Sequence, residues 1–564
     1  MATIAELFDE ALRCHQIGNL SQAASLYRQI LHFDPAHADA LHLLGVLTFQ
    51  TGDHETGLAL IRQAIVLNPS AAVFHNNLGV YLKELGRLTE AVASYHEALK
   101  LNPRYVDALS NLGIALRDLG RHAEAAEACR QALRLNPRHA EAQGNLGLIL
   151  KDQGQLEAAV ECYQEALRLK PQFVDALNNL GIALGDQGNY AEAAEYHRQV
   201  LHINPHHADA HANLGLALKA LGQWAEAEAY LDGALRLKPD HVNARWNLSA
   251  LRLLQGDFSK AWPDYESRWV VPGFSARHDD RPRWDGAPLH GETILLYAEQ
   301  GLGDTLQFIR YAPMVKERGG MVLFECQPAL MSLLEGVAGV DQLLAIGAAL
   351  PPYDVQVPLL SLPGIFGTSV ATIPATVPYV RAAPALVKTW RTELEALGGF
   401  KIGVAWQGNP NHQGDRYRSF PLEWFEDLAR VERARLVSLQ KGPGTEQLLS
   451  LGGRFPILDV NDRLDAAGAF LDTAAIMMNL DLVITVDSAV AHLAGALGVP
   501  VWVVLPFDPD WRWLLERADS PWYPTMRLFR QKCTGDWREV FEQIATEVSA
   551  RLLCHNARSN PGHP

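Results

Sequence analysis

The sequence predicts an α-solenoid of stacked helix pairs, followed by an α/β half that consists of two parallel-sheet domains with a cleft between them. Two observations predict this fold class. Prolines recur every 34 residues from Pro35 to Pro239, and a fixed period of this length is typical of helix pairs that stack on copies of themselves. Beyond residue 272 the period ends, and short apolar runs alternate with helical stretches, which is the pattern of parallel sheets.

The composition restricts the classes of function. The chain has 564 residues, of which 48% are hydrophobic and 20% are charged, values typical of several folded domains. Its net charge of −15 argues against a general nucleic-acid binder. No apolar run approaches the ~20 residues that a membrane helix needs, so we expect no membrane span.

The expected compartment is the cytoplasm. Glu6, Asp9 and Glu10 stand where a signal peptide needs its apolar region. The six cysteines are far apart and form no CxxC pair. This spacing argues against a zinc ribbon or a disulfide framework and fits a reducing compartment. We therefore expect no metal site.

Two further columns have the same period as the prolines. A glycine ends the first helix of each pair, where a left-handed residue is needed, and the proline ends the second helix. Small residues let the two helices approach closely. The glycines stand at positions 18, 52, 86, 120, 154, 188, 222 and 256. The small residues are Ala23, Gly57, Ala91, Ala125, Ala159, Ala193, Ala227 and Ala261.

Eight units fit these columns, and they begin near residues 4, 38, 72, 106, 140, 174, 208 and 242. The pattern resembles the tetratricopeptide repeat, which implies a superhelix over residues 4–275 that binds protein partners and that often self-associates, so a homo-oligomer is compatible with it. The eighth unit has Ser249 and Arg268 at normally small positions. Terminal repeats are atypical because one face must be capped or docked, so we expect this unit to pack on the second half of the chain.

An asparagine column lies on the first helix of six successive units. Its members are Asn77, Asn111, Asn145, Asn179, Asn213 and Asn247. An amide can donate to and accept from a peptide backbone, so a ladder of amides is able to hold an extended chain. The column resembles the asparagine ladder of protein O-GlcNAc transferase. The structural alternative is that the amides cap or bridge neighbouring helices, and the sequence leaves both open.

The second half alternates strands with helices. Predicted strands cover 294–298, 321–326, 353–362, 401–406, 435–440, 480–485 and 499–504, and predicted helices cover 306–317, 328–334, 422–431, 465–478 and 489–497. A proline-rich crossing at 374–384 separates two series. We predict a linker over 276–290, one domain over 291–385, a second over 400–554 and a flexible tail over 555–564. Ligands bind such sheets at the carboxyl ends of the strands.

Three segments come directly after predicted strands and carry side chains that are able to bind a ligand or catalyse a reaction. In 299–305, Gly301 and Gly303 allow a tight turn, and Asp304 lies at a helix start; the simpler explanation is a helix cap. The polar loop 407–419 carries Arg416 and Arg418, which are able to clamp a diphosphate or to lie in a solvated surface loop. Lys441 comes after the next strand as a further cation.

The third segment, 484–500, runs from a buried strand into a helix. The helix start at Asp487 and Ser488 suits a phosphate, because its free N–H groups point outward, and Asp487 is able to hold sugar hydroxyls. His492 lies on a nearby helix face. The simpler explanation is that Asp487 caps the helix and His492 is packed.

The three segments together resemble those of bacterial heptosyltransferases over residues 290–550. This resemblance implies a glycosyltransferase with two Rossmann-like domains, an acceptor side at 291–385 and a nucleotide-sugar side at 400–554. It implies that Asp304 is the general base and that Asp487, Ser488 and His492 lie on the donor side. Arg418 stands where that family usually has a lysine contacting the donor phosphate. The bulky segment 501–513 departs from the family's glycine-containing loop.

The predicted function is therefore glycosyl transfer from a nucleotide-sugar, with no other cofactor, to a protein recruited by the repeats. Asp304 would take the acceptor proton. Arg416, Arg418, Lys441 and the helix start at Ser488 would stabilise the leaving group without a metal. Gly301 and Gly303 would let the backbone approach the nucleotide-sugar. The alternative is a non-catalytic scaffold whose second half is a docking or nucleotide-sensing module.

Overall fold

The computed structural model describes residues 3–271, 277–278, 280–412, 414–465 and 468–559. The chain divides into two compact units, Met1–Ala217 and Leu218–Pro564, so the last repeat belongs to the second unit. Residues 276 and 279 of the predicted linker and 560–564 of the predicted tail lie outside the described residues. The predicted domain boundaries themselves stay predictions.

Helix pairs carry the 34-residue period. Within the described residues, sixteen helices cover the repeats: α1 (Ile4–Gln16), α2 (Leu20–Phe33), α3 (Ala38–Gln50), α4 (His54–Leu67), α5 (Ala72–Glu84), α6 (Leu88–Leu101), α7 (Val106–Asp118), α8 (His122–Leu135), α9 (Ala140–Asp152), α10 (Leu156–Leu169), α11 (Val174–Asp186), α12 (Tyr190–Ile203), α13 (Ala208–Ala220), α14 (Trp224–Leu237), α15 (Val242–Leu254) and α16 (Phe258–Tyr265). All eight turn glycines have a left-handed φ, between +72° and +98°. Such a φ strongly favours glycine, which is why the chain can end one helix and start the next within a few residues.

The small residues of the repeats lie where helices touch. A Cβ added to Gly45 of α3 would lie 2.8 Å from the carbonyl oxygen of Gly57 in α4. A Cβ on Gly79 would lie 2.6 Å from the ring of Tyr95, which is itself fully buried. Cores are close-packed, so a larger residue at either position would displace the neighbouring helix. The sequence columns thus report helix–helix contacts.

Two parallel sheets form the second unit. Among the described residues the strands are β1 (Thr293–Tyr297), β2 (Met321–Cys326), β3 (Gln342–Ala345), β4 (Val355–Pro358), β5 (Phe400–Ala405), β6 (Ala434–Ser438), β7 (Ile457–Leu458), β8 (Leu482–Val486), β9 (Val501–Leu505) and β10 (Met526–Arg530). The first sheet has the order β3-β2-β1-β4 and the second β10-β9-β8-β5-β6-β7. Every pairing between these strands is parallel. The carboxyl ends of neighbouring strands therefore meet at one edge of each sheet.

Ten helices, most of them short, lie between and after the strands of the described residues. They are α17 (Leu302–Phe308), α18 (Ala312–Lys316), α19 (Leu362–Ile365), α20 (Pro384–Glu395), α21 (Asp415–Arg418), α22 (Glu426–Ala429), α23 (Glu446–Ser450), α24 (Leu471–Met477), α25 (Ala489–Leu497) and α26 (Arg538–Ser559). The continuous helix predicted over 306–317 is wrong, because the chain forms a 3₁₀ turn at Ile309–Tyr311 and restarts at α18 with Pro313 in the first turn. Proline is best tolerated in the first turn of a helix, so Pro313 favours a new helix start at this point. Every helix of the described residues is too short or too polar to cross a bilayer.

The main core of the second unit joins the last repeat to both sheets. Phe258, Trp262 and Tyr265 of α16 belong to the same buried cluster as Ile294 of β1 and Val503 of β9. The prediction that the eighth repeat packs on the second half of the chain is therefore confirmed. The opposite face of the first sheet carries a much smaller cluster, built on Leu295, Leu323 and Leu344. The second unit thus contains two parallel sheets that share one main core with the last repeat.

Candidate functional site

Loops at the carboxyl edges of the two sheets come together through α17 and α25. Helix α17 follows β1 and begins after Gly301, while α25 follows β8 and begins after Ser488. A Cβ on Gly303 would lie 2.8 Å from the His492 ring and 3.4 Å from Cα of Ala489. Only glycine allows this approach without displacing α25. Gly303, predicted as a nucleotide-sugar contact, thus has a packing role between two helices.

Asp304 lies in the first turn of α17, and both of its carboxylate oxygens have partners. Oδ2 accepts a hydrogen bond from the Gly301 backbone N–H at 2.9 Å, so the predicted helix cap is present. Oδ1 accepts from Nη2 of Arg512 at 2.5 Å. Burial raises the pKa of Asp304, and Arg512 opposes that rise. Because 20% of the side chain stays exposed, the carboxylate remains within reach of solvent.

Arg512 is the residue around which the charged groups are arranged. It donates from Nε to Gln307 at 2.7 Å and from Nη1 to Asp510 at 2.9 Å, and its side chain is only 8% exposed. Burial acts to raise the pKa of Asp510, but the charge of Arg512 and the hydrogen bonds from its backbone and side chain together lower it. Asp304 and Asp510 thus share one buried guanidinium, which satisfies the requirement that buried charges be paired.

Asp487 and Ser488 connect β8 to α25. Burial raises the pKa of Asp487 to about 6, with a further rise from Asp510 and an opposing effect of Arg418. The Ser488 hydroxyl is shielded from solvent and has no hydrogen-bond partner among the described residues. Polar groups in such a position usually have a partner. A ligand that accepts from this hydroxyl and from the first N–H groups of α25 would supply one.

His492 is a packed histidine. Its Nδ1 lies 2.9 Å from the Tyr523 hydroxyl, and its ring stacks on Trp513 with centroids 5.4 Å apart. Burial lowers its pKa to about 3, and the charge of Arg512 adds to the effect. The ring is therefore neutral at physiological pH and positions α25 against the segment that carries Arg512.

The predicted cations are spread unevenly. Arg418 is half-buried, donates to Asp415 at 3.2 Å and is close enough to affect the pKa of Asp487. Arg416 is exposed, with its guanidinium over the Tyr417 ring. The Lys441 ammonium donates to the Leu464 carbonyl oxygen. The structure thus brings Arg418 to the charged cluster, whereas Arg416 contacts Tyr417 and Lys441 contacts Leu464.

Sequence reasoning missed three groups of this site: Arg512, Asp510 and His412. Burial lowers the pKa of His412, and Arg418 adds to that effect, while Asp510 and Asp304 oppose it. All three stand in segments that looked like loops, and Arg512 is 208 residues from Asp304. The one sequence signal that could have identified Arg512 was its position among bulky aromatic residues after the carboxyl end of β9. Across the described residues, no group of three His, Cys, Asp or Glu side chains is arranged to hold a metal ion.

The asparagine column bridges neighbouring repeats. Four of the amides donate to a side chain 35 positions earlier: Asn77 to His42 at 3.1 Å, Asn111 to Asn76 at 3.2 Å, Asn145 to Ser110 at 2.9 Å and Asn213 to Asn178 at 3.1 Å. At this spacing Asn179 and Asn247 follow Gly144 and Ala212, which have no polar side chain. All six are half-buried. Bridging between neighbouring repeats thus explains four of the six amides and does not explain Asn179 and Asn247.

The comparisons with known proteins identify the repeats. Sequence models of the tetratricopeptide repeat match residues 8–72, 76–140, 128–161 and 186–251, and a further TPR repeat model matches 147–188. Residues 8–251 are therefore tetratricopeptide repeats, as predicted. Repeats of this kind commonly bind peptide or protein partners.

Individual relatives cover only part of the chain. Protein FlbA of Caulobacter vibrioides is 26% identical over 329 residues, which are 53% of this chain and 54% of FlbA. The chain thus spans about half the length of this curated relative. The solved structure of YrrB, described as a TPR protein with an unusual peptide-binding site, is 27% identical and covers 33% of this chain and 95% of its own, with a TM-score of 0.27. The structure of PilF from Pseudomonas aeruginosa is 24% identical and covers 38% of this chain and 96% of its own, with a TM-score of 0.34.

Proposed function

We propose that the chain is a glycosyltransferase that moves a sugar from a nucleotide-sugar to a protein recruited by its repeats. The observation that carries the proposal is the arrangement of Asp304, Arg512 and Asp487 where loops from two parallel sheets meet. In this proposal the sheets form two Rossmann-like domains that face a cleft, with the acceptor on the side of β1 and the donor on the side of β8. Parallel sheets bind ligands at this edge.

Asp304 acts as the general base in this proposal. Its raised pKa moves the carboxyl toward neutral pH, where a base accepts a proton most effectively. The acceptor hydroxyl gives its proton to Asp304 while its oxygen bonds to the anomeric carbon. The bond between that carbon and the diphosphate oxygen breaks, and the nucleoside diphosphate leaves with the electron pair.

The leaving diphosphate needs positive charge and hydrogen-bond donors. Arg418 and the start of α25 lie beside Asp487, and the Ser488 hydroxyl has no partner there within the described part of the chain. Donors that are fixed in place stabilise a developing negative charge more effectively than water does. In this proposal Arg416 and Lys441 reach the site only after rotating away from Tyr417 and Leu464, so we assign them smaller contributions.

A specific observation favours a second candidate function, a scaffold without turnover. Both oxygens of Asp304 are occupied, one by Gly301 and one by Arg512. Both hydrogen bonds favour the charged carboxylate over the protonated one, so they make Asp304 a weaker base than burial alone would. In a scaffold the second unit would bind a nucleotide-sugar without turning it over, and the repeats would carry the interaction function.

Titration calorimetry with UDP-, GDP-, ADP- and CMP-linked sugars tests donor binding. We expect saturable binding of one donor, weakened at least tenfold by Arg418→Ala. The matched control is Arg430→Ala, because Arg430 pairs with Glu426 and Asp427 on the exposed face of α22. Absence of binding across the panel contradicts the proposed donor site.

The base assignment is tested by release of nucleoside diphosphate from the bound donor. Asp304→Asn should slow release at least about 100-fold, the usual contribution of general base catalysis, while donor affinity stays within about threefold. Asp519→Asn, which breaks the Arg517 ion pair, should leave both unchanged. Normal release in the Asp304 variant would remove this residue from the base role, and no release in the unaltered chain would favour the scaffold.

A further inference from the structure

The last repeat contacts both of the loops that supply the Asp304–Arg512 pair. It consists of α15, α16 and a 3₁₀ turn, Glu266–Val270. One loop leads from β1 to α17 and carries Asp304. The other leads from β9 through the 3₁₀ turn Trp511–Trp513 and carries Arg512. The two contacts differ in chemistry, and each is buried.

The contact with the Asp304 loop is an ion pair. The Arg268 side chain is fully buried and donates from Nε and Nη2 to the two carboxylate oxygens of Glu299, at 3.2 and 3.1 Å. Nη2 also donates to the Ser361 hydroxyl at 2.7 Å, and Nη1 donates to Glu266 at 2.7 Å. The pairing is bidentate, which fixes orientation as well as distance. Glu299 stands five positions before Asp304 in the same loop and helix start.

Glu299 extends the constraint to a second loop of the first sheet. Its Oε1 accepts from the Leu360 backbone N–H at 3.1 Å, just after β4. Burial raises the pKa of Glu299, and the charge of Arg268 opposes that rise. A buried carboxylate of this kind depends on its partner for its charged state. Arg268 therefore connects the ends of β1 and β4 to the last repeat.

The contact with the Arg512 loop is aromatic. Trp511 lies among Phe258, Trp262 and Tyr265 of α16, with ring centroids 6.2, 5.7 and 6.0 Å away. Its ring also stacks near Phe308 of α17, at 6.3 Å. Aromatic side chains of this size dominate the energetics of a contact, and their edge-to-face geometry is directional. The residue next to Arg512 is thus held by the same helix that leads into Arg268.

We infer that the last repeat is a structural part of the candidate site, in which Arg268 is a positioning residue for the Asp304 loop and α16 positions the Arg512 loop. This inference rests on the proposed function, which gives the site its catalytic role, and it adds the residues that hold the loops of the site in place. It also explains why residue 268 departs from the small residue that the repeat pattern calls for. The long side chain reaches Glu299, which a small residue cannot.

Hydrogen exchange on the full chain tests the inference, with the backbone amide of Gly301 as the probe. In Arg268→Met this amide should exchange at least tenfold faster than in the unaltered chain, whereas amides of β2 should change less than threefold. Arg268→Lys should give an intermediate rate, because lysine keeps the charge but not the bidentate pairing. The control is Lys260→Met, which breaks the exposed pair with Asp257 on the same repeat. Unchanged Gly301 exchange, or equal acceleration in β2, overturns the inference.

Two further variants separate positioning from general stability. Arg268→Met combined with Glu299→Gln removes the unpaired carboxylate, so its melting temperature should recover while Gly301 exchange stays fast; recovery of both overturns the inference. If Arg268→Met does not fold, Ser361→Ala removes one hydrogen bond to Arg268 and should accelerate Gly301 exchange about threefold, and no acceleration overturns the inference. A chain that binds no nucleotide-sugar contradicts the proposed function but does not alter these exchange rates.

Discussion

The asparagine column of the repeats and the charged cluster of the second unit stabilise polar groups in opposite ways. Each bridging amide of the column bonds to a residue 35 positions away on the adjacent repeat, and the contact recurs. The Asp304–Arg512 pair joins residues 208 positions apart, and its geometry is not repeated. Repeated, half-buried contacts distribute stability, because each repeat depends mainly on its neighbours. A single buried charge pair concentrates stability at one place. A single substitution that breaks a contact should therefore reduce stability more in the charged cluster than in the asparagine column.

Arg512→Met should produce the largest effect. It leaves Asp304 and Asp510, whose side chains are 20% and 37% exposed, without their shared buried cation. Breaking a fully buried ion pair costs about 3–5 kcal/mol, and the partial exposure of both carboxylates reduces the expected cost to about 2–3 kcal/mol. Urea unfolding of the second unit should therefore shift by that amount. Arg517→Met, which breaks an exposed pair with Asp519, should shift it by less than about 1 kcal/mol. A similar cost for both variants would show that stability is not concentrated at the Asp304–Arg512 pair.

Asp487→Asn should stabilise the chain, and more so at high pH. The carboxyl has an ordinary pKa of 3.8 and a folded-state pKa of about 6. Between these values the folded state holds the proton more tightly, so the stability of the unaltered chain falls as pH rises and levels off above pH 6. Asparagine carries no charge and should gain on the order of 2 kcal/mol at pH 8. Thermal unfolding at pH 8 and pH 5 measures the difference, which should shrink at the lower pH.

The control for this prediction is Asp427→Asn on the exposed face of α22, where 60% of the side chain is accessible. Its effect on stability should be small. A stability gain for Asp487→Asn that does not depend on pH would mean that shape, and not charge, sets the cost at this position.

Asn145→Ala and Asn179→Ala should produce the smallest effects and separate structure from binding. Asn145 donates to Ser110, so its loss should cost about 1 kcal/mol of stability. Asn179 forms no side-chain hydrogen bond to another described residue and stands opposite no polar side chain, so its loss should cost less than about 0.5 kcal/mol. If the column binds a peptide backbone, Asn179→Ala should still weaken binding of a partner captured by the repeats. Unchanged partner affinity in Asn179→Ala would make the column structural.

The sequence predicts the repeats well because their determinants are local. A left-handed glycine, a small residue and a proline at fixed spacing define each helix pair, and every turn glycine adopts the expected φ. The buried apolar strands β2 and β8 were also predicted within two residues. Short or edge elements were missed, namely β3, β7 and β10. All three lie at sheet edges and are less completely buried than the central strands, so they lack the continuous apolar run that indicates a buried parallel strand.

The candidate site was only half predictable. Asp304, Asp487, Ser488 and Arg418 come after strands, and parallel pairing brings strand ends to one edge. Their partners depend on packing between distant segments: Arg512 reaches Asp304 only because Trp511 is held against α16. No sequence pattern near Arg512 indicates its contact with Asp304. The role of His492 likewise depends on Tyr523 and Trp513, which lie on other segments.

The turn glycine with a left-handed φ gives every repeat the same backbone turn between its two helices. The first six repeats are therefore interchangeable, but the last two are not. Every internal unit ends and restarts the chain with the same backbone geometry, so duplication or loss of a unit would lengthen or shorten the solenoid by one step without changing any other turn. The final unit supplies Arg268 and the α16 aromatic residues to the loops of the sheets. Lys219 and Trp224 of the seventh unit also contact Asp508 and Phe507 in the segment after β9. Gene duplication can thus vary the number of repeats in front of the seventh unit, whereas the last two units must be inherited together with the second half of the chain.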